Sequence, residues 1–284
     1  MRHYYLLFLL ALPTFLFSQD LNQKSIDSLE NSFKYEHGKI TLKNGIATIN
    51  VPAGFKYLNA EQANRVLGEI WGNPNEDKTS LGFLMPEKQT ILNPNGYLFN
   101  IEYDEIGYVK DDDADEIDYN ELLTELKKDT EAENAERVKN GYPKASLVGW
   151  ASTPFYDDKR KVLHWAKEIK FGNDSINTLN YNIRILGRKG VLVLNAISPI
   201  NELSEVKKNI PNVLGIVEFK DDLKYSSFDS SIDKVAEWTI GGLIAGKVLA
   251  KVGFFAMILK FWKVIALAVG GFFAAIRKKL FGEK

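Results

Sequence analysis

The sequence predicts an α+β fold in which helices pack on a mainly antiparallel sheet, followed by a C-terminal transmembrane or interfacial helical segment. Three observations lead to this prediction. Strand-like runs follow one another between residues 145 and 199 with only short turns between them, which is typical of an antiparallel meander. Helix-like patterns stand before and after these runs rather than alternating with them. Apolar sequence interrupted by lysines extends from residue 240 to residue 276.

The first predicted elements are a β-hairpin and a capped helix. The segment GKITLKNGIATINVPAGF holds two alternating apolar runs on either side of Asn44-Gly45, a dipeptide that favours tight hairpin turns. Asn59 is the predicted N-cap of the next helix, and Gln62, three residues later, predicts a capping box. The glycine and proline in residues 71–74 predict the end of this helix.

Two further strands and a long acidic helix are predicted next. The strands cover 81–85 and 97–109, where apolar and aromatic residues are frequent. The acidic run 111–118 lies before the helix, where carboxylates suit the positive end of the helix dipole, and Asp118 is the predicted N-cap. The D-x-D-x-D spacing of this run is also seen in calcium loops. However, Glu116 stands where such a loop needs glycine.

The meander is predicted from the runs SLVGWAST, VLHWAKEIKF, LNYNIRILG and GVLVLNAIS, each bounded by turn residues. A helix over 201–210, followed by Pro211, and a short strand or helical turn in GIVEFKDD complete the predicted domain. This order of hairpin, capped helix, meander, helix and final strand resembles the outline of PsbP and Mog1-type domains.

The first residues have the layout of a secretory signal peptide. Arg2 precedes an apolar run from Tyr4 to Phe17, and Ser18 and Gln19 follow it. An uncleaved anchor helix is the alternative. The predicted organisation is a signal peptide over 1–19, a linker over 20–37, an extracytoplasmic α+β domain over 38–222, a second linker over 223–238, and a membrane anchor with a basic tail over 239–284.

Composition excludes several classes of function. Residues 20–238 carry 27 Lys/Arg and 36 Asp/Glu, a net charge of -9, and an acidic domain repels nucleic acids. The chain has no cysteine, which rules out disulfides, thiolate nucleophiles and cysteine-bound zinc. Only His37 and His164 follow the predicted signal peptide, which excludes a histidine-rich metal site. No metal site or cofactor is predicted.

The C-terminal segment is predicted to anchor the chain in the bacterial inner membrane, with the domain in the periplasm and the C-terminus in the cytoplasm. A span over 239–259 has the roughly 20 residues needed to cross the hydrocarbon core. Residues 264–284 then lie along the cytoplasmic leaflet. The expected partners are membrane lipids, an envelope protein, or a second copy of the chain through this helix, and a soluble bundle is the alternative. The predicted anchor residues are Lys247, Lys251, Lys260, Trp262 and Lys263.

Several segments of the chain resemble one bacterial family. They are GIATINVPAGFKYLNAEQANRVLGEIWGNP (45–74), LGFLMP (81–86), GYVKDDDADEIDYNELL (107–123), the Gly-Trp pair at 149–150 and the stretch 233–236. In these segments the chain resembles the membrane-anchored proteins of the domain-of-unknown-function 2167 family (DUF2167). The resemblance implies an exported domain tethered by its C-terminal segment, without established catalytic residues.

Four residues are candidates for binding. Trp71 and Asn73 belong to a Trp-Gly-Asn-Pro cluster that is either an aromatic recognition edge or the end of a helix whose tryptophan packs into the core. His164 and Trp165 are neighbours in a predicted strand and should therefore face opposite sides of the sheet.

The leading functional hypothesis is a non-enzymatic interaction module of the cell envelope, since no recognisable nucleophile or phosphate-loop motif is present. An envelope hydrolase is the alternative. It would use His164, or a carboxylate pair drawn from Asp104, Glu105 and the acidic run 111–118. No catalytic residue is assigned with either hypothesis.

Overall fold

The structure is a computed structural model that describes residues 23–71, 79–93 and 95–248. The predicted signal peptide and most of the predicted anchor lie outside these residues. The helices are α1 (Gln23–Glu30), α2 (Ala60–Arg65), α3 (Tyr119–Lys139), α4 (Leu203–Leu214) and α5 (Ile240–Ala245). The strands are β1 (Tyr35–Glu36), β2 (Lys39–Thr41), β3 (Ala47–Asn50), β4 (Phe55–Asn59), β5 (Gly82–Pro86), β6 (Leu98–Asp104), β7 (Ala145–Asp157), β8 (Val162–Phe171), β9 (Thr178–Leu186), β10 (Val191–Pro199) and β11 (Val217–Phe219).

Eight of these strands form one sheet in the order β1-β4-β5-β6-β10-β9-β8-β7. Its neighbouring strands are antiparallel, and β7 to β10 follow one another as the predicted meander. Strands β11, β3 and β2 form a smaller antiparallel sheet. The fold class is therefore α+β with one large antiparallel sheet, as the sequence predicts.

Apolar side chains cover both faces of the large sheet. On the first face, one cluster joins the central strands to the small sheet and to α4. On the second face, α3 and α5 pack with β7 and β8, while α2 packs with β4 and β5. The middle of the second face, along β6, β10 and β9, therefore lies between two separate apolar clusters.

The predicted hairpin turn and two predicted helix caps are confirmed. Asn44 and Gly45 both have positive φ, 64° and 65°, in the turn between β2 and β3, as a tight hairpin requires. The Asn59 side chain accepts a hydrogen bond from the N–H of Gln62 at 3.2 Å. The Asp118 side chain accepts two backbone N–H groups of the first turn of α3.

Two predictions about helix ends are wrong in detail. Gln62 does not close a capping box, because its side-chain amide pairs with the backbone N–H and carbonyl of Lys34. Pro211 does not stop α4, which continues to Leu214. The residue just before this end, Val213, is fully buried, so packing on the sheet outweighs the cost of a proline in the last turns.

The segment predicted as a linker over 223–238 is packed on the domain. The ring of Tyr108 stacks on Tyr225 and Phe228, with centroids 4.4 and 3.9 Å apart. The backbone of Tyr108 also forms hydrogen bonds with the backbone of this segment. Because these hydrogen bonds replace pairing within the large sheet, β6 ends at Asp104 and does not continue to residue 109 as predicted. The predicted N-terminal linker is likewise joined to the domain, because β1 pairs with β4.

The start of the predicted membrane span also belongs to the domain. Every residue of α5 is buried, in the cluster that contains α3 and β8. The Asp113 carboxylate accepts the N–H groups of Ile240 and Gly241 at 3.0 and 3.1 Å, and Gly246 ends the helix with a φ of 71°. The domain thus continues past its predicted end at residue 222 and past the predicted start of the anchor at residue 239. Within the described residues, no helix combines the length and apolarity that a membrane crossing requires.

Candidate functional site

A strip of polar side chains runs along the middle of the second face. Asn182 of β9 lies opposite Asn195 of β10, which lies opposite Asn100 of β6, so the three amides form one row across the sheet. Arg184 and Asn180 flank this row at the alternate positions of β9. Asn100 and Asn182 are only 3% and 6% exposed, although a polar strand face usually meets solvent.

A pocket of about 370 Å³ lies beside this strip, between the sheet, α3 and α5. Its walls come from α3 and from residues 243–247. This volume falls in the range of about 300 to 1,000 Å³ that is usual for small-molecule sites. The floor of the pocket consists of Trp165, Lys167, Asn180, Asn182, Arg184 and Asn195.

Lys167 brings a buried amine into the pocket. It lies in β8 opposite Asn180 of β9 and is 8% exposed. Its Nζ donates a hydrogen bond to the carbonyl oxygen of Ile244 in α5 at 3.3 Å. Burial, and then the nearby charge of Arg184, lower the pKa of Lys167 to about 8, against the opposing charge of Glu133. The cause is that removal from water disfavours the charged amine.

Arg184 brings a second cation to the same floor. Its Nη1 donates a hydrogen bond to Asn195 Oδ1 at 3.0 Å. Burial lowers the pKa of Arg184 to about 10, while the charges of Asp104 and Glu102 oppose this shift. Within the part of the chain that the structure describes, neither Arg184 nor Lys167 forms a salt bridge with a carboxylate.

Trp165 adds an unpaired donor to the floor. It is 1% exposed, and its Nε1–H has no hydrogen-bond partner among the described residues. The guanidinium of Arg184 lies 5.1 Å from the ring centroid of Trp165, a cation–π contact that orients both side chains. A buried donor without an acceptor costs about 1 to 3 kcal/mol. The floor therefore presents more donors than its own acceptors satisfy.

The wall on the α3 side carries acidic residues. Asp129 forms an ion pair with Lys247 across the mouth of the pocket. Burial, and then the charge of Asp129, raise the pKa of Glu133. The hydroxyl of Thr130 donates to the carbonyl oxygen of Leu126 at 2.8 Å. The pocket thus combines a cationic floor with a rim of mixed charge.

Two of the predicted binding residues occupy opposite faces, which confirms the predicted alternation. Trp165 lines the pocket on the second face. The ring of His164 lies on the first face, with Nδ1 3.0 Å from the hydroxyl of Tyr181 and the ring of Phe155 5.5 Å away. Burial lowers the pKa of His164, so its neutral form is favoured.

The remaining predicted residues lie apart from the pocket or at its edge. Trp71 stacks on Phe83 with 5.8 Å between the ring centroids, in the cluster around α2, so its packing matches the structural interpretation. Lys247 lies at the pocket mouth. The predicted residues that lie outside the described part of the chain are Asn73, Lys251, Lys260, Trp262 and Lys263.

Two carboxylates of β6 adjoin the strip: Glu102 accepts a hydrogen bond from Asn100 at 2.8 Å, and the charge of Asp104 acts on Arg184. They occupy alternate positions of β6 and thus the same side of the strand. Burial raises the pKa of both groups, and the charge of Arg184 opposes the shift in each. Glu105, the predicted companion of Asp104, lies beyond the end of β6.

Two members of the acidic run before α3, Asp111 and Asp113, are bound within the domain. Asp111 accepts hydrogen bonds from the hydroxyls of Tyr156 at 2.6 Å and Tyr225 at 3.0 Å, and it pairs with Lys161 at 2.8 Å. Asp113 binds the first turn of α5. In residues 23–71, 79–93 and 95–248, no three His, Asp or Glu side chains gather in a group suited to a metal ion.

Most residues of the pocket floor were not predicted as site residues from the sequence. The signal was present in TLNYNIR of β9, where every second residue is polar. That alternation ordinarily indicates a face turned to water. Only the packing of α3 and α5 on the neighbouring strands makes the same residues the floor of a pocket.

Two solved structures are distantly similar to this chain. The solution structure of cyanobacterial PsbP (CyanoP) from Synechocystis sp. PCC 6803 aligns with a TM-score of 0.37 and 8% identity, over 64% of this chain and 91% of that one. The crystal structure of the Saccharomyces cerevisiae Ran-binding protein Mog1p aligns with a TM-score of 0.36 and 11% identity, over 69% of this chain and 100% of that one. Likeness at this level carries no argument about function.

None of the curated proteins matches the sequence. A family profile described as "Protein of unknown function (DUF2167)" matches residues 34–274. The matched range contains both sheets and every residue of the pocket. It also contains the segments whose resemblance to the family is visible in the sequence. The chain therefore belongs to the DUF2167 family.

Proposed function

We propose that this chain is a tethered, non-enzymatic binding module of the bacterial cell envelope, and that a small polar molecule binds in the sheet pocket. The pocket floor is the observation that carries the proposal. Among the described residues, the two cations of this floor have no carboxylate at salt-bridge distance, and its buried indole N–H has no acceptor. Such groups lose water on folding without gaining full partners. A bound molecule with acceptor atoms would supply those partners.

A binding role has more support than hydrolysis. In the described lining of the pocket there is no histidine, serine or cysteine, and the hydroxyl of Thr130 is already used within α3. His164 lies on the other face, where its described ring-nitrogen contact is the hydroxyl of Tyr181. A hydroxyl or thiol nucleophile needs a general base such as histidine within hydrogen-bond reach, and the described lining of this site offers no pair of that kind.

The proposed tether rests on the sequence and on the position of α5. The apolar stretch that begins after α5 is long enough to cross or line a bilayer, and the start of the chain has the layout of an export signal. Because α5 forms a wall of the pocket and the proposed tether follows it directly in the chain, α5 would connect the ligand site to the tether. Membrane lipids, an envelope protein and a second copy of the chain are the proposed partners of the C-terminal segment.

Thermal unfolding of the full-length chain in detergent micelles, with and without a panel of small polar molecules, tests the pocket. Ala132→Trp places a large side chain at an exposed position that lines the pocket, and Val138→Trp places the same side chain at an exposed position farther along α3. We expect ligands that raise the unfolding midpoint of the wild type to lose this effect in Ala132→Trp and to keep it in Val138→Trp. Equal responses in all three proteins would contradict the proposal.

Cell fractionation tests the tether separately. The full-length chain should sediment with membranes and should be cleaved by a protease added outside the inner membrane. A chain shortened after residue 248 should leave the membrane fraction. Recovery of the full-length chain in the soluble fraction would contradict the tether and would leave the pocket proposal untouched.

A further inference from the structure

We infer that the pocket binds its ligand through an oxyanion, a carboxylate or a phosphate group, held by Lys167, Arg184 and the indole N–H of Trp165. This inference rests on the proposed binding function and names the chemistry of the ligand. The three groups come from adjacent strands, β8 and β9, and line one cavity. Each offers donors, and an oxyanion is the ligand group that accepts from several donors at once.

The first step of the argument is the balance of charge on the floor. In proteins, buried cations are usually paired with carboxylates, because an unpaired charge in a low-dielectric site is costly. Lys167 has one described acceptor, the neutral carbonyl of Ile244. The described hydrogen bonds of Arg184 also go to neutral oxygens, among them those of Asn195 and Asn182. An oxyanion in the pocket would place a negative charge in direct contact with both cations, which the carboxylates around them act on only from a distance.

The second step is the indole of Trp165. Its N–H is fully buried and unpartnered among the described residues, and the side chain lines the cavity. Arg184 holds the indole ring from one side, while Lys167 lies two residues along the same strand and on the same face. In the strand register, Trp165 lies between the position opposite Arg184 and Lys167, and we infer that one acceptor group meets all three side chains.

The third step is the charge of the residues around the cationic floor, which limits the net charge that the ligand can carry. Asp129, Glu133 and Lys247 line the pocket on the side of α3 and α5, and Asp104 and Glu102 act on Arg184 from β6. The two acids on the α3 wall would repel a second negative group. We therefore expect a single oxyanion on a compact body that is neutral or positively charged, rather than a polyanion or a nucleic acid.

Calorimetric titration of the full-length chain in detergent micelles, at constant ionic strength, tests the inference with matched compounds. Benzoate presents a carboxylate, phenyl phosphate presents a phosphate, and benzamide is the neutral counterpart of benzoate. We expect at least one of the two anions to bind saturably and benzamide to bind about 10-fold more weakly or not at all. The preferred anion distinguishes a carboxylate ligand from a phosphate ligand.

Point variants connect the affinity to the floor. Lys167→Met should weaken binding of the preferred anion by about 10-fold or more. Trp165→Phe removes the N–H and keeps an aromatic ring, and it should weaken binding by about 3- to 10-fold. Lys170→Met removes the same charge from an exposed position of the same strand and should leave the affinity unchanged. Circular dichroism of each variant checks that the fold is kept.

The outcomes separate this inference from the proposed function. Anions that bind no better than benzamide, or that bind Lys167→Met and Trp165→Phe as well as the wild type, would overturn the oxyanion inference. If neutral compounds nevertheless bound the wild type and lost their binding in Ala132→Trp, the pocket would remain a binding site for another ligand class. If no compound responded to Ala132→Trp, the proposed function would fail as well.

Discussion

The two faces of the large sheet are built from the same strands but differ in composition. On the first face, β9 presents Tyr181, Ile183 and Ile185, all buried in one cluster beneath α4 and the small sheet. On the second face, the alternate residues of the same strand are Asn180, Asn182 and Arg184. The apolar clusters of the second face lie toward its two ends. Its polar middle is covered only in part, at the pocket.

This difference separates the part of the sheet that stabilises the fold from the part that is available for binding. A uniform apolar face gains free energy in proportion to the area it removes from water. A half-covered polar strip contributes little folding free energy, because its groups lose hydrogen bonds to water and gain only some of the protein hydrogen bonds that would replace them. Retaining such a strip is understandable if its groups serve a ligand. Four predictions examine this comparison, from the largest expected effect to the smallest.

Neighbouring residues of β9 should differ most in their effect on stability. Ile183→Ala removes a fully buried side chain from the first face and should lower the free energy of unfolding by about 2 to 5 kcal/mol. Asn182→Ala on the second face should cost about 1 kcal/mol, the usual net value of a hydrogen bond. Urea unfolding at neutral pH measures both. Similar losses at the two positions would show that the faces contribute equally to stability.

Lys167→Met should stabilise the protein near neutral pH. Because the pKa of Lys167 is about 8 in the folded chain and 10.5 in the unfolded reference, the unfolded state binds more protons between these values. Wild-type stability should therefore rise as the pH increases from 8 to 10. The burial cost removed by the substitution is up to about 3 kcal/mol at pH 7, and the gap between the two proteins should narrow to below about 1 kcal/mol by pH 10.

The measurement for Lys167→Met is urea unfolding of both proteins at several pH values. Buried tyrosines such as Tyr57 and Tyr181, whose pKa burial raises to about 12, act in the opposite direction above pH 10. They are present in both proteins and cancel in the difference. Lys170→Met is the control and should show no such dependence. A difference between wild type and Lys167→Met that stayed constant with pH would argue against a buried, titrating Lys167.

Asp113→Ala should loosen the wall of the pocket while leaving the first face intact. The Asp113 carboxylate caps the first turn of α5, and loss of such a cap costs about 1 to 2 kcal/mol. Hydrogen exchange should become faster at the amides of α5 and should not change in β9 or β10. Asp115→Ala alters an exposed residue of the same run and should have no effect. Equal exchange in both variants would mean that Asp113 is dispensable.

Lys247→Ala should have the smallest effect. Lys247 and Asp129 form an ion pair in which both side chains are about half exposed, 46% and 45%, and such pairs contribute about 0 to 1 kcal/mol. The expected change in the free energy of unfolding is below about 1 kcal/mol, and it should shrink further at high salt. A loss comparable to that of Asp113→Ala would indicate that Lys247 supports the pocket wall directly.

Features that depend on residues close together in the chain were predicted well. The Asn44-Gly45 turn, the Asn59 and Asp118 caps and the meander all follow from local backbone preferences and from alternation. Those preferences act within a few residues, so they can be read without knowing the fold.

Features that depend on distant contacts were missed or assigned differently. The acidic run was interpreted as carboxylates that suit the positive end of the α3 dipole, whereas Asp113 binds α5, more than a hundred residues away in the chain. The apolar residues 240–245 were assigned to a membrane span. A buried core helix and the start of a membrane helix share the same apolar composition, and only the packing partner distinguishes them.

The sequence by itself determined the α+β class, the antiparallel meander, the main turns and caps, and the family. These follow from short-range backbone physics and from the resemblance of contiguous segments. The tertiary structure alone decided that α5 belongs to the domain and that Lys167, Arg184 and Trp165 share one pocket. Their proximity depends on strand register and on how helices far away in the chain cover the sheet, and the free energy of those contacts is not encoded in any single segment.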